Sequence, residues 1–159
     1  MLRLKFKKKA DAHAVFTAVR EDGSSTSTTI GAHTGFGPVH DLTHYVVETS
    51  LGLKNGFLGL LAAGRNVEDF NHDSKHWLPE EAQIAEAIAG QLSQDSMTGR
   101  PLSVEDFNWT VRDVLSRSGV KLAAPELTAF ELSALHAKLA ELRRKWDSIA
   151  IGETLELQF

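Results

Sequence analysis

Cysteine is missing from all 159 residues of the chain. That absence excludes disulfides, thiolate nucleophiles, iron–sulfur ligation and all-cysteine zinc sites, and it fits a reducing compartment such as the cytoplasm. Long apolar runs are missing too. The greasiest stretch, Phe57 to Ala63, is far too short to span a bilayer, and the alternating N-terminus lacks the continuous apolar core of a signal peptide. Neither sign of charge dominates: the net charge is −4 and the pI about 6.0, so no global field favours nucleic acid or an anionic membrane, and neither is expected as a partner. The Lys7-Lys8-Lys9 run beside Phe6 lacks the interleaved aromatics of a base-stacking platform and reads as a solvated strand edge. There is no Gly-x-Ser-x-Gly elbow, no P-loop and no dinucleotide fingerprint, so no organic cofactor is indicated.

What is present is an ordinary globular composition, 42% hydrophobic and 24% charged, at a length that suits one domain spanning 1–159. A chain of this size buries roughly 68–70% of its unfolded surface, enough to fold without a covalent staple. Leu2, Leu4 and Phe6 alternate with Arg3, Lys5 and Lys7, the period of a half-buried strand. His13 to Arg20 reads as a second strand, Asp22-Gly23 as a turn and Ser24 to Ile30 as the returning strand. Leu155, Leu157 and Phe159 alternate again at the C-terminus, which places Glu156 beside the basic outer face of the first strand. The expected fold is therefore α+β: a small antiparallel sheet from 1–31 and 153–159, packed against a helical block at 38–150.

Local signals divide that block. Pro38 opens a helix running to about Leu51, with Gly52 as its stop. A short apolar helix covers Phe57 to Ala63, closed by Gly64, and 65–78 has no clear pattern. Pro79 starts a helix with Glu80 and Glu81 in its first turn and Ile84, Ile88 and Leu92 inward. Ser103 caps the next, with Phe107, Val111, Val114 and Leu115 inward and Gly119 ending it. Thr128 and Glu131 form a capping box for the clearest helix, whose Leu132, Leu135, Leu139, Leu142, Trp146 and Ile149 make a core stripe. Such a stripe also suits a partner groove, so a homo-oligomer stays open.

The chemistry centres on His40-Asp41-Leu42-Thr43-His44. Two imidazoles four residues apart lie on one helical face, one turn apart, and can chelate a single zinc-like divalent metal. Asp41 stands where zincins carry a catalytic glutamate, one methylene shorter. Glu48 lies about 12 Å along the axis from His40, too far to share one ion with both histidines, but in place to orient His44 or assist catalysis. A third ligand must come from elsewhere: Glu68, Asp69, His72 and His76 are the candidates, the last two echoing the first pair in His72-Asp73-Ser74-Lys75-His76. The competing reading packs both histidines into the core, since Val47 and Leu51 project near them and Asp41 suits a first helical turn for dipole reasons alone; metal-free acid–base chemistry is a third. The Gly31 to Gly37 loop reaches the same helix N-terminus and reads as an ordinary loop.

Pro38-Val39-His40-Asp41-Leu42-Thr43-His44-Tyr45-Val46-Val47-Glu48, with the 52–64 stretch after it, resembles the hallmark of a family of uncharacterised bacterial proteins reading Pro-His-Asp-Leu-x-His-aromatic-Val-Val-Glu. Trp146 and Gly152-Glu153-Thr154-Leu155 are similar to that family's ending. Val39, between the proline and the first histidine, is a departure, and the second histidine pair lies outside the pattern. The resemblance implies a bacterial origin and no established activity, so it carries no catalytic residue across. The sequence thus points to a divalent-metal site, with hydrolysis as its reaction class; the alternative is a non-catalytic interaction or structural protein with the histidines in a packing role.

Overall fold

Alternation of apolar and charged residues gives each of the first strands one face to bury. In the computed structural model, which describes residues 1–31, 37–70 and 78–159, that alternation becomes β1 (Leu2–Ala10) and β2 (His13–Arg20), followed by β3 (Ser25–Ile30). The last strand, β4 (Thr154–Gln158), returns to pair with β1, and the antiparallel order is β3-β2-β1-β4. Register puts Phe6 opposite Phe16 and Leu155, and Leu4 opposite Ala18 and Leu157, so the apolar sets share one face. On the other face Lys5 opposes Glu156 and the two form an ion pair at 3.4 Å. The Asp22-Gly23 turn is made as expected: Gly23 has φ 86° and the Asp22 carboxylate accepts from Ser24 N.

Lys8 departs from the solvated edge expected of its run. It points to the inner face, 3% exposed, and its ammonium donates to the carbonyls of Trp146, Asp147 and Ile149. The period of 2 dictates this, since residue 8 shares the face of residues 2, 4 and 6. The ammonium is tolerated there because it meets the unpaired carbonyls and negative dipole end of the last helix.

Among the described residues five helices form the block packed on the inner face: α1 (Pro38–Leu51), α2 (Phe57–Ala62), α3 (Glu80–Thr98), α4 (Val104–Arg117) and α5 (Ala129–Ser148). A single turn of 3-10 helix, Val67–Phe70, occupies part of the stretch that has no clear sequence pattern. The boundaries follow local chemistry. Gly52 terminates α1 in the left-handed conformation, Ser103 accepts from Asp106 N at the start of α4, and Thr128 with Glu131 closes a complete capping box on α5. Pro79 proves to be the residue before α3, not its first helical residue. α1 packs on α3 and α5, and α3 on α4. Leu132, Leu135, Leu139, Leu142 and Trp146 are buried as the stripe requires, whereas Ile149 is the half-buried, extended residue just after α5. Val114, expected inward, is 46% exposed, because the buried row of α4 runs through Phe107, Val111 and Leu115. Among the described residues no helix is long and apolar enough to cross a membrane.

Candidate metal centre

The site begins at the entry to α1. Gly37 turns the chain with φ 58°, and an added Cβ would press on the Ala12 carbonyl, so a side chain there is doubly disfavoured. Pro38 then supplies the first helical residue, and the helix places His40 and His44 one turn apart, their rings edge to face with centroids 4.8 Å apart. His44 is 3% exposed, whereas His40 is half-buried.

Both His44 ring nitrogens meet carboxylates. Nδ1 lies 3.1 Å from Glu48 Oε1, and Nε2 lies 3.0 Å from Glu86 Oε2. The other Glu86 oxygen is 3.5 Å from His40 Nε2. Glu86, on α3, thus closes a group with both histidines in which one ligand atom from each residue lies within 4.8 Å of the others. Neutral imidazole carries one N–H, so with Nδ1–H donated to Glu48 the facing Nε2 lone pair and Glu86 oxygen need a positive species between them: a proton or a cation. Burial opposes charge on His44, yet its two carboxylate neighbours outweigh burial and raise its pKa to about 10. Burial likewise opposes charge on Glu86, but hydrogen bonding from His40 and His44 wins and holds its pKa well below the usual carboxylate range.

Glu48 is fixed from behind. Its side chain is buried, and its oxygens accept from the backbone N–H groups of Leu58 and Gly59 in the first turn of α2. Gly56 makes the seat possible, since a Cβ there would collide with the Glu48 carboxylate. A second clip joins the two ligand-bearing helices: Ser93 of α3 donates to Thr43 Oγ1 at 3.0 Å, both side chains buried, and Thr43 donates in turn to Val39 O.

The histidines and Glu86 open into a cavity of about 490 Å³, walled by Ile30 of β3, by Phe57 and Phe70, and by Leu78 and Ala82. Phe57 packs on the His44 ring at 5.4 Å and on Phe70 at 4.8 Å. Asp41 lines the same cavity, half-buried. Desolvation by its surroundings raises the Asp41 pKa to about 6; His40 and His44 oppose that rise and Glu86 adds to it.

The structure therefore brings His40, His44 and Asp41 to one cavity and sets Glu48 behind His44 as an orienting partner. The third donor is Glu86, which is not among the candidates the sequence offers. Its partner His44 is 42 residues away, and no local spacing marks it. Glu68 is exposed on the 3-10 turn and Asp69 accepts from Asn66 N; neither joins the donor group. His72 and His76 lie outside the described residues.

An α+β chain with a two-histidine, one-carboxylate cluster is the class that the fold and site define, and that cluster could hold a metal ion. No family model, curated protein or solved structure matches the chain. The resemblance to the bacterial family accordingly stays an expectation from sequence motifs, of which the histidine helix is the specific one.

Proposed function

We propose that the protein binds a divalent metal ion through His40, His44 and Glu86 and uses it for hydrolysis, with Asp41 as the proton-transferring residue. One observation carries this reading: two imidazole Nε2 atoms and a carboxylate converge at a cavity while Glu48 grips the far nitrogen of His44. Carboxylate–histidine–metal chains of that kind fix the ring's tautomer and orientation and raise its basicity as a ligand. Two nitrogens and one oxygen suit a zinc-like ion and leave a coordination position open, as a catalytic site requires. A bound ion would polarise a carbonyl and lower the pKa of a water molecule. Asp41 would take a proton from the attacking water as its oxygen adds to the carbonyl carbon, then pass that proton to the leaving nitrogen or oxygen as the bond to carbon breaks. The elements of water are consumed and no oxidant is needed. Glu48 is not among the described residues lining the cavity, so its role is to position His44.

The test is elemental analysis of tag-free protein, wild type beside His40→Ala, His44→Ala and Glu86→Ala, with circular dichroism on each. The reading predicts about one zinc, manganese, iron or nickel per chain in the wild type and its loss from variants that keep their helical signal. Wild-type protein that takes up no divalent ion, together with unfolding of His44→Ala, would assign His44 to holding α1 against α3 and overturn the metal assignment.

A further inference from the structure

Glu86 also borders a second, larger cavity of about 760 Å³, and Leu78 and Glu86 are common to the two. This cavity is a trench between α3 and α4. Gln83, Gly90, Gln91 and Gln94 recur along one face of α3, while Val111 and Leu115 of α4 form an apolar wall. From Gln83 to Gln94 the helix rises about 16 Å. An extended chain advances about 3.3 Å per residue, so the trench accommodates roughly five residues of one.

Gly90 marks the trench as something other than incidental space. Glycine inside a helix is destabilising relative to alanine. At position 90 the protein supplies no steric reason for it: an added Cβ would meet nothing within 4 Å, and φ is not positive. The residue leaves the floor of the trench empty. Two of the amides on that floor are already braced, Gln83 donating to Leu78 O at 3.2 Å and Gln91 to Asp95 Oδ1 at 2.8 Å, so they are held in place before any ligand arrives.

Charge narrows the class of ligand. Among the described residues lining either cavity there is no lysine or arginine, and the carboxylates are Asp41 and Glu86. Along the trench a phosphorylated or otherwise anionic chain would meet Glu86 and no cationic side chain among the described residues. Primary amides both donate and accept hydrogen bonds, which matches the alternating N–H and C=O groups of a peptide backbone, and Val111 and Leu115 match its side chains.

Building on the metal reading above, we infer that the substrate is an uncharged polypeptide segment that lies along the α3–α4 trench and crosses Glu86 to present a carbonyl in the first cavity. Gly90, one helical turn beyond Glu86 on α3, is then a specificity-determining position that is not itself a metal ligand. The experiment uses zinc-loaded, full-length protein labelled with nitrogen-15, titrated with pools of capped, neutral pentapeptides. Expected are shifts of the Gly90, Gln91 and Gln94 amide signals in the wild type and in Gly90→Ala. Gly90→Leu, which improves helix propensity yet plugs the trench, should lose at least tenfold in affinity while retaining its zinc and its thermal stability. Phosphopeptide pools should bind at least tenfold more weakly than neutral ones. Absence of shifts with any neutral peptide pool, shifts unchanged in Gly90→Leu, or a preference for phosphopeptides or neutral oligosaccharides would each overturn the inference. Zinc content, read separately on every sample, distinguishes failure of the trench from failure of the metal centre.

Discussion

Glu48 does three things with one carboxylate: it receives His44 Nδ1–H, it accepts the free N–H groups of Leu58 and Gly59, and it needs Gly56 to have no side chain. Glu48→Gln keeps the shape but exchanges one acceptor oxygen for a donor amide. Loss of such an orienting partner typically weakens metal binding about 10–100-fold, and a chelator competition titration should read that loss while the chain stays folded. Glu48→Leu leaves buried N–H groups without acceptors, at about 1–3 kcal/mol each, and should lower the urea midpoint as well. The helical pair His40/His44 and the orienting role of Glu48 were legible because both depend only on 3.6-residue periodicity. Glu86 was not, since nothing near it in the chain marks which exposed acid of α3 will face α1.

His136, at the same scale, gives a pH dependence away from the metal ligands. Burial holds its pKa below the ordinary 6.5, against the pull of Asp95 3.5 Å away. The unfolded chain therefore takes up a proton that the folded chain resists. This group's contribution to stability is full above about pH 6.5 and is lost as the pH falls below that value. Denaturation midpoints of wild type and His136→Gln, compared at pH 7.5 and 5.5, should show a smaller acid-side loss in the variant.

Elements in this chain are bounded mainly by their own residues. Pro38, Gly52, Ser103 and the Thr128–Glu131 box each satisfy, or dispense with, the backbone groups left over at a helix end, and each is readable from a few neighbouring positions. The end of α5 is different. Its last carbonyls are met by Lys8, at the other end of the chain and within a lysine run whose neighbours Lys7 and Lys9 are exposed. Side-chain alternation turns Lys8 inward, against its expected place in a solvated edge; only the packing of α5 against the sheet gives it a partner. Lys8→Met should cost about 2–4 kcal/mol, since hydrogen bonds from a charged donor contribute about 1.5–3 kcal/mol each and part of the burial cost is recovered. Lys7→Met should stay within about 0.5 kcal/mol. Urea midpoints at unchanged slope would read both.

At the level of the whole molecule, the sheet built from both ends of the chain and the helical block between them follow from two hydrophobic periods, and both are found where the sequence puts them. What periodicity does not specify is the pairing of helices. The candidate centre exists because α1 packs on α3 with Thr43 clipped to Ser93, which brings Glu86 to the two histidines, and because α2 caps itself with Glu48. A ligand that binds only this assembled arrangement stabilises it by mass action, about 2.7 kcal/mol at a free concentration one hundred times Kd. For a chain of this size that is a rise in Tm of roughly 5–10 °C, which differential scanning fluorimetry with and without zinc would detect and which His40→Ala should abolish.

X-ray absorption at the zinc edge of the loaded protein tests the proposed ligand set most directly. Expected are two imidazole nitrogens and at least one carboxylate oxygen at about 2.0–2.2 Å, with one imidazole lost in His40→Ala and the carboxylate contribution altered in Glu86→Ala. A shell made of oxygen alone, or one unchanged by both substitutions, would contradict it.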